Sequence, residues 1–190
     1  MRKTPYNKGF TLVESLVAVS ILALAVTGPL LIAQKGIGSA IYSRDQITAY
    51  YLAEEAVEYV RNVRDTNRIG DRSWLGQFDD CKVSATYPQS RCRIDARYVD
   101  FDDPADNAIQ PCDGAAKSSC PVLGFDTANN TYGYGYGYGN GMTATKFTRT
   151  VALDDTHSSK EAEIAVTISW STGLFAPVRS FTVKEVIFDY

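Results

Sequence analysis

The sequence of 190 residues contains one histidine, two methionines and two tryptophans, and none of the short motifs that usually accompany a reaction. There is no G-x-S-x-G, H-E-x-x-H, phosphate-cradling glycine loop or Cys–His pairing, and His157 stands alone in the polar stretch Asp-Asp-Thr-His-Ser-Ser, where a turn residue is expected rather than a base. The expectation is a protein that is not an enzyme and takes no cofactor; an acid-only hydrolase would need two carboxylates converging from separate parts of the fold. An excess of one charge is missing as well. Nineteen Lys and Arg face 22 Asp and Glu, a formal balance of -3, so charge gives no reason to expect a nucleic-acid partner. An apolar share of 45% with 12% aromatic residues does not fit a disordered tail, and the length holds one globular domain with an appendage. No C-x-x-C pair is present. The four cysteines, Cys81, Cys92, Cys112 and Cys120, all lie in the polar part at short spacings, which favours disulfides in an oxidising compartment over zinc, a redox motif or free thiols. Pairing Cys81 with Cys92 and Cys112 with Cys120 would close two small loops, although four cysteines allow three connectivities.

Charge is scarcest between Phe10 and Ala33, where FTLVESLVAVSILALAVTGPLLIA contains only Glu14. As a helix these 24 residues would extend roughly 36 Å, enough to cross a hydrocarbon core of about 30 Å. Arg2, Lys3 and Lys8 precede it without an acid, which places the amino terminus in the cytoplasm and the rest of the chain outside, in agreement with the cysteines. The apolar run is longer than that of a secretory signal peptide and continues without a polar break into a helical sequence. A carboxylate within such a run is costly and marks a functional position with a partner, so Glu14 calls for a cation; the plain alternative is a monomeric anchor whose Glu14 reaches the headgroups or is protonated.

The stretch Lys8-Gly9-Phe10-Thr11-Leu12-Val13-Glu14-Ser15-Leu16 resembles the processing site of type IV prepilins and type II secretion pseudopilins. It combines a short basic leader, a glycine before a phenylalanine, a glutamate four residues after that phenylalanine, and an unbroken apolar helix. The resemblance implies that a membrane prepilin peptidase cuts between Gly9 and Phe10 on the cytoplasmic side and methylates the new amino terminus of Phe10. Removing residues 1–9 leaves 16 basic against 22 acidic side chains, a balance of -6. A new ammonium at Phe10 is as poorly solvated in hydrocarbon as the Glu14 carboxylate, so each lowers the other's desolvation cost, within one chain or between neighbouring subunits. The family function implied is a structural filament subunit. Its partners would be other pilin subunits, prepilin peptidase, inner-membrane assembly machinery, and membrane lipid before assembly. The chain would be a single-pass inner-membrane protein first and part of a surface filament afterwards. The alternatives are a type II secretion minor pseudopilin and a monomeric membrane-anchored binding module.

The resulting plan has a leader at 1–9, an assembly helix at 10–33, an amphipathic helix at 34–65 and a disulfide-containing β domain at 66–190. Gly28-Pro29 predicts a kink or a melted turn. Beyond it Ile37, Ile41, Leu52, Ala56, Tyr59, Val60 and Val63 recur at mostly three- and four-residue steps, giving one face that can dock. Leu52 to Arg61 also resembles the corresponding helix of minor-pilin-like members, and its charged face, with pairs such as Glu58 and Arg61, reads as a solvated surface. Val83, Ala85 and Tyr87, then Ile94, Ala96 and Tyr98, predict a hairpin about Pro88, and residues 100–130 predict a long irregular loop stapled by a disulfide. Strong alternation around Phe147–Leu153, Ile164–Trp170 and Phe181–Ile187 predicts three antiparallel strands covering the helix. The fold class expected is α+β, a long amino-terminal helix packed on an antiparallel sheet in a pilin-like roll. In YGYGYGYGNG, Tyr132, Tyr134, Tyr136 and Tyr138 fall on one side if extended, a stripe able to contact sugars or a neighbouring subunit, unless the glycines leave it a mobile loop. Asp100, Asp102, Asp103 and Asp106 supply oxygens of the kind calcium prefers, but Pro104 and the missing glycine and terminal glutamate break the EF-hand pattern, so a solvated turn is expected and no metal.

Overall fold

A computed structural model of the chain describes residues 9–86, 88–98, 108–113, 119–135, 141–173 and 177–190. Among the described residues one α-helix, α1, spans Leu12–Ile69, a short 3-10 helix follows at Gly76–Cys81, and then come seven strands: β1 (Cys92–Ile94), β2 (Ile109–Pro111), β3 (Val122–Asp126), β4 (Thr131–Gly133), β5 (Met142–Ser158), β6 (Glu161–Trp170) and β7 (Arg179–Phe188). Every strand pairing among the described residues is antiparallel. The expected α+β class, a long helix with an antiparallel sheet, is the fold observed. The chain separates into two compact units, Met1–Asp45 and Gln46–Tyr190.

In the second unit the helix buries Ala49, Leu52, Ala53, Ala56, Val60 and Val63, a stripe at helical spacing with small residues that let the sheet approach. Facing it, β6 alternates without a fault: Ala162, Ile164, Val166, Ile168 and Trp170 are buried and the residues between them are half-exposed. The inner row of β5 is Phe147, Arg149, Val151 and Leu153. Arg149 is fully buried; its Nη1 donates to the Leu52 carbonyl at 3.0 Å and to the Glu55 carboxylate, and its Nη2 donates to the Ile94 carbonyl. One guanidinium thus ties α1, β1 and β5 together. At the rim, Arg61 donates to Glu185 on β7 and to Glu58, and the first of these bonds holds its pKa up. The Glu58–Arg61 face is therefore partly a helix-to-sheet tie rather than a freely solvated surface.

Strand β5 organises the sheet. One of its edges pairs with β6, from Phe147 opposite Trp170 to Ser158 opposite Glu161, and β6 pairs along its whole length with β7. The other edge is shared by two short strands, β3 near Met142–Thr148 and β1 at Val151, to which β4 and β2 are added in turn. The backbone of His157 belongs to β5, ahead of the turn at residues 159–160 instead of within it.

Several local expectations are corrected. The helix passes through Pro29 with no melted turn, because proline removes a single donor while neighbouring residues keep their helical bonds. It ends at Ile69, with Gly70 N–H on Thr66 O at 3.0 Å, Arg72 N–H on Asn67 O at 2.8 Å and Asp71 in the left-handed region at φ 54°. Ile37 and Ile41, expected on the docking face, are exposed. No hairpin about Pro88 forms among the described residues: Lys82 makes a single parallel bridge to Leu153, and β1 pairs instead with β2 and β5. The Cys81–Cys92 disulfide, closing the intervening loop at a Cα separation of 5.1 Å, fixes that geometry. The second disulfide joins Cys112 to Cys120 at 4.5 Å. The supposed irregular stretch before residue 130 contains β2 and β3, and β3 continues into β4 through a turn in which Asp126 accepts the N–H groups of Ala128 and Asn129. The four aspartates Asp100, Asp102, Asp103 and Asp106 lie outside the described residues, as does Tyr87.

Candidate functional site

Within the first unit every residue from Gly9 to Ile41 is exposed. Phe10, Leu12, Leu24 and Ile32 each show more than 70% of their surface, so the longest apolar segment of the chain finds no cover within its own unit. The segment is long and apolar enough to cross a membrane.

Its start is shaped by Thr11 and Glu14. Thr11 sits just before the first helical residue, and its Oγ1 accepts the Glu14 N–H at 3.3 Å, satisfying one of the donors every helix leaves open at its amino end. The spacing Thr-x-x-Glu is that of a capping box, and it places the Glu14 carboxylate in the first turn, at the positive end of the helix dipole. An amino terminus created at Phe10 would lie at that same positive end, where an ammonium is disfavoured unless a carboxylate faces it. The other polar groups of the segment turn back on the helix. Ser15 Oγ donates to Thr11 O, Ser20 Oγ to Leu16 O at 2.8 Å, and Thr27 Oγ1 to Leu24 O. Glu14 is then the one side chain of residues 10–33 whose polarity the helix backbone cannot absorb.

Gly9 gives a second clue. A Cβ built on it would meet nothing within 4 Å, so the fold of the chain does not require glycine there. Gly133 is the opposite case: a Cβ would come within 2.1 Å of Arg97 Nε and 2.7 Å of Asp95 Oδ1. In that region Asp95, 3% exposed, accepts both Nε and Nη2 of Arg97, at 2.9 and 2.7 Å, and also the Tyr134 N–H at 2.8 Å. The ion pair with Asp95 holds the Arg97 pKa up.

Of the tyrosine run, Tyr132 and Tyr134 are among the described residues, and both make contacts within the protein. Tyr132 packs on Phe125 across the strand pair, with ring centroids 4.9 Å apart. Tyr134 directs its hydroxyl to the Arg149 carbonyl at 3.4 Å, and burial pushes its phenol pKa up. Tyr136 and Tyr138 lie outside the described residues. Arg149 and Arg97 were not singled out by sequence reasoning. The available signal was phase: Arg149 falls on the same alternating face as Phe147, Val151 and Leu153.

No curated protein and no solved structure matches the chain. Residues 4–28, which contain the Gly9–Phe10 step, Glu14 and the start of α1, match the family model described as the prokaryotic N-terminal methylation motif, and the chain therefore carries the signature of type IV pilins and pseudopilins.

Proposed function

We propose that the chain is a structural subunit of a type IV pilus or related filament, cut between Gly9 and Phe10, methylated at Phe10, and assembled by burying residues 10–33 among the equivalent helices of neighbouring subunits. The observation that carries this reading is the uncovered apolar helix with one unabsorbed carboxylate at its first turn. Packing such helices side by side removes the apolar surface from lipid and sets the Glu14 of one subunit near the Phe10 amine of another, where each charge compensates the other. Gly9 fits the same reading, since a glycine without a steric reason inside the chain suits a step handled by a processing enzyme. The two disulfides suit an oxidising compartment beyond the cytoplasmic membrane. No catalysis by this chain and no cofactor enter the proposal. A pilus subunit and a type II secretion pseudopilin share the processing and packing steps. Loss of surface filaments on deletion identifies the first, and loss of protein export the second.

The test is Gly9→Leu. The expected result is an uncleaved precursor retained in the membrane fraction, read as intact mass; a mature chain beginning at Phe10 in this variant contradicts the proposal.

A further inference from the structure

The loop after β1, the end of β2 and the residues after β4 enclose a partly open cavity of about 380 Å³, within the size range of small-molecule sites. Its lining includes Arg93, Tyr98, Gln110, Pro121 and Tyr134. The groups facing it are unequal in what they still offer. Asp95 also borders the cavity, but its two oxygens are filled by Arg97 and by the Tyr134 N–H, so its charge is neutralised and its acceptor capacity is largely used. Arg93 is in the opposite position. One of its Nη atoms donates to Gln110 Oε1, and its guanidinium lies 5.6 Å from the centroid of the Tyr134 ring, but no carboxylate pairs with it among the described residues. The Gln110 amide N–H groups and the Tyr98 hydroxyl likewise have no partner among the described residues, and the Tyr98 side is open, at 43% exposure. Among the described residues the cavity is therefore rich in donors, carries one positive charge without a paired carboxylate beside an aromatic ring, and has apolar surface from Pro121 and from Tyr98, over whose ring the Arg97 guanidinium lies at 5.7 Å.

Those features select a ligand. A carboxylate answers the Arg93 guanidinium, whose planar fork matches it in two-point fashion. A small carboxylate alone would leave most of the volume empty and the Gln110 and Tyr98 donors unpaired. A purely apolar acid would fill the space but leave those donors without acceptors. A ring that is apolar on its faces and carries hydroxyls on its edge meets both demands. We propose that this cavity binds a carboxylate-bearing pyranose, a sugar acid, with its carboxylate on Arg93, ring hydroxyls on Gln110 and Tyr98, and ring face against Tyr98 and Pro121. All of these groups belong to the second unit. The sugar acid can be free or one residue of an acidic polysaccharide.

The test uses the full chain in detergent micelles and saturation-transfer NMR with titration. The probes are galacturonate and a galacturonate oligomer, with galactose and acetate as controls. Binding of galacturonate, with galactose bound at least about tenfold more weakly, is expected, as is a comparable loss in Arg93→Gln. Gln110→Met, which removes the amide donors with little change of size, should weaken binding severalfold while the thermal midpoint stays in place. Tighter binding of the oligomer than of the monomer supports a polysaccharide source, and equal binding supports the free sugar. Absence of binding for both acidic probes, unchanged affinity in a folded Arg93→Gln protein, or competition by acetate at the same concentration as galacturonate would overturn the assignment.

Discussion

At the scale of single residues, two positions do what no hydrophobic pattern describes. Arg149 occupies a core position between Phe147 and Val151, where a charge is tolerated because two backbone carbonyls and the Glu55 carboxylate receive its donors. Arg149→Ala would leave those acceptors unpaired and open a hole beneath the helix. The expected loss is about 3 kcal/mol of stability, measured as a shift of the urea midpoint followed by tryptophan fluorescence of the buried Trp170. Gly133 is required for a steric reason, since any Cβ would enter the space of the Asp95–Arg97 pair. Gly133→Ala should cost about 1 to 3 kcal/mol on the same assay, whereas Gly9→Ala should leave folding stability unchanged. A stable Gly133→Ala protein would show that the pair can move aside at little cost.

At the scale of elements, the carboxyl end of α1 is held by the carboxyl end of the chain. Arg68 donates to the Tyr190 carbonyl, Arg64 lies 5.0 Å from the centroid of the Tyr190 ring, and the Tyr190 hydroxyl donates to Asp65 at 3.0 Å. The Asp65 carboxyl is held below the usual carboxylate range by its hydrogen bond from Arg64 and next by that from Tyr190. A carboxyl with a lowered pKa in the folded state binds its proton more readily when unfolded. Its contribution is therefore present at neutral pH and is lost as pH falls through about 4 toward the lowered folded value. Asp65→Asn should flatten the acid side of the stability profile without changing its slope above about pH 6; an unchanged acid limb would show that the latch carries no linkage.

Elements also differ in how far they could be read in advance. Strands β6 and β7 are long and β6 alternates cleanly, so their existence follows from period alone. The helix was legible for the same reason, except that Gly28-Pro29 suggested a break the structure does not have. Strands β1, β2 and β4 have three residues each, too few to show a period, and they exist because the long edge of β5 offers partners to β1 and β3, on which β2 and β4 are added in turn. That template, together with the Cys81–Cys92 crosslink, lies far away in sequence, so a local pattern could not reveal it. Likewise the tyrosine run left a one-sided stripe and a loop both open, because alternation specifies sides and not contacts. The inward turn of Tyr134 depends on Asp95 and Arg149, which are supplied by distant segments.

At the scale of the whole molecule, the sequence is divided between two solvents, and the division is written in composition. Residues 10–33 are apolar on all sides and uncovered, while the part from Gln46 onward buries its own core and carries both disulfides. A helix apolar all round is stable only in lipid or among other helices. On the proposed reading Glu14 decides between these two outcomes, since in lipid alone its carboxylate has no compensating charge. Glu14→Ala should be processed normally yet enter filaments poorly, and Glu14→Asp, which keeps the charge and shortens the reach, should fall between. Incorporation of the alanine variant at the level of the parent chain would remove the pairing role from the account.

The most direct measurement is mass spectrometry of the amino terminus of the chain recovered from sheared surface filaments, alongside the chain left in the membrane. The account predicts a filament-borne chain that begins at a methylated Phe10, with Met1 retained only in unprocessed membrane precursor. A native chain that keeps Met1 and is found solely as isolated copies in the membrane would contradict it.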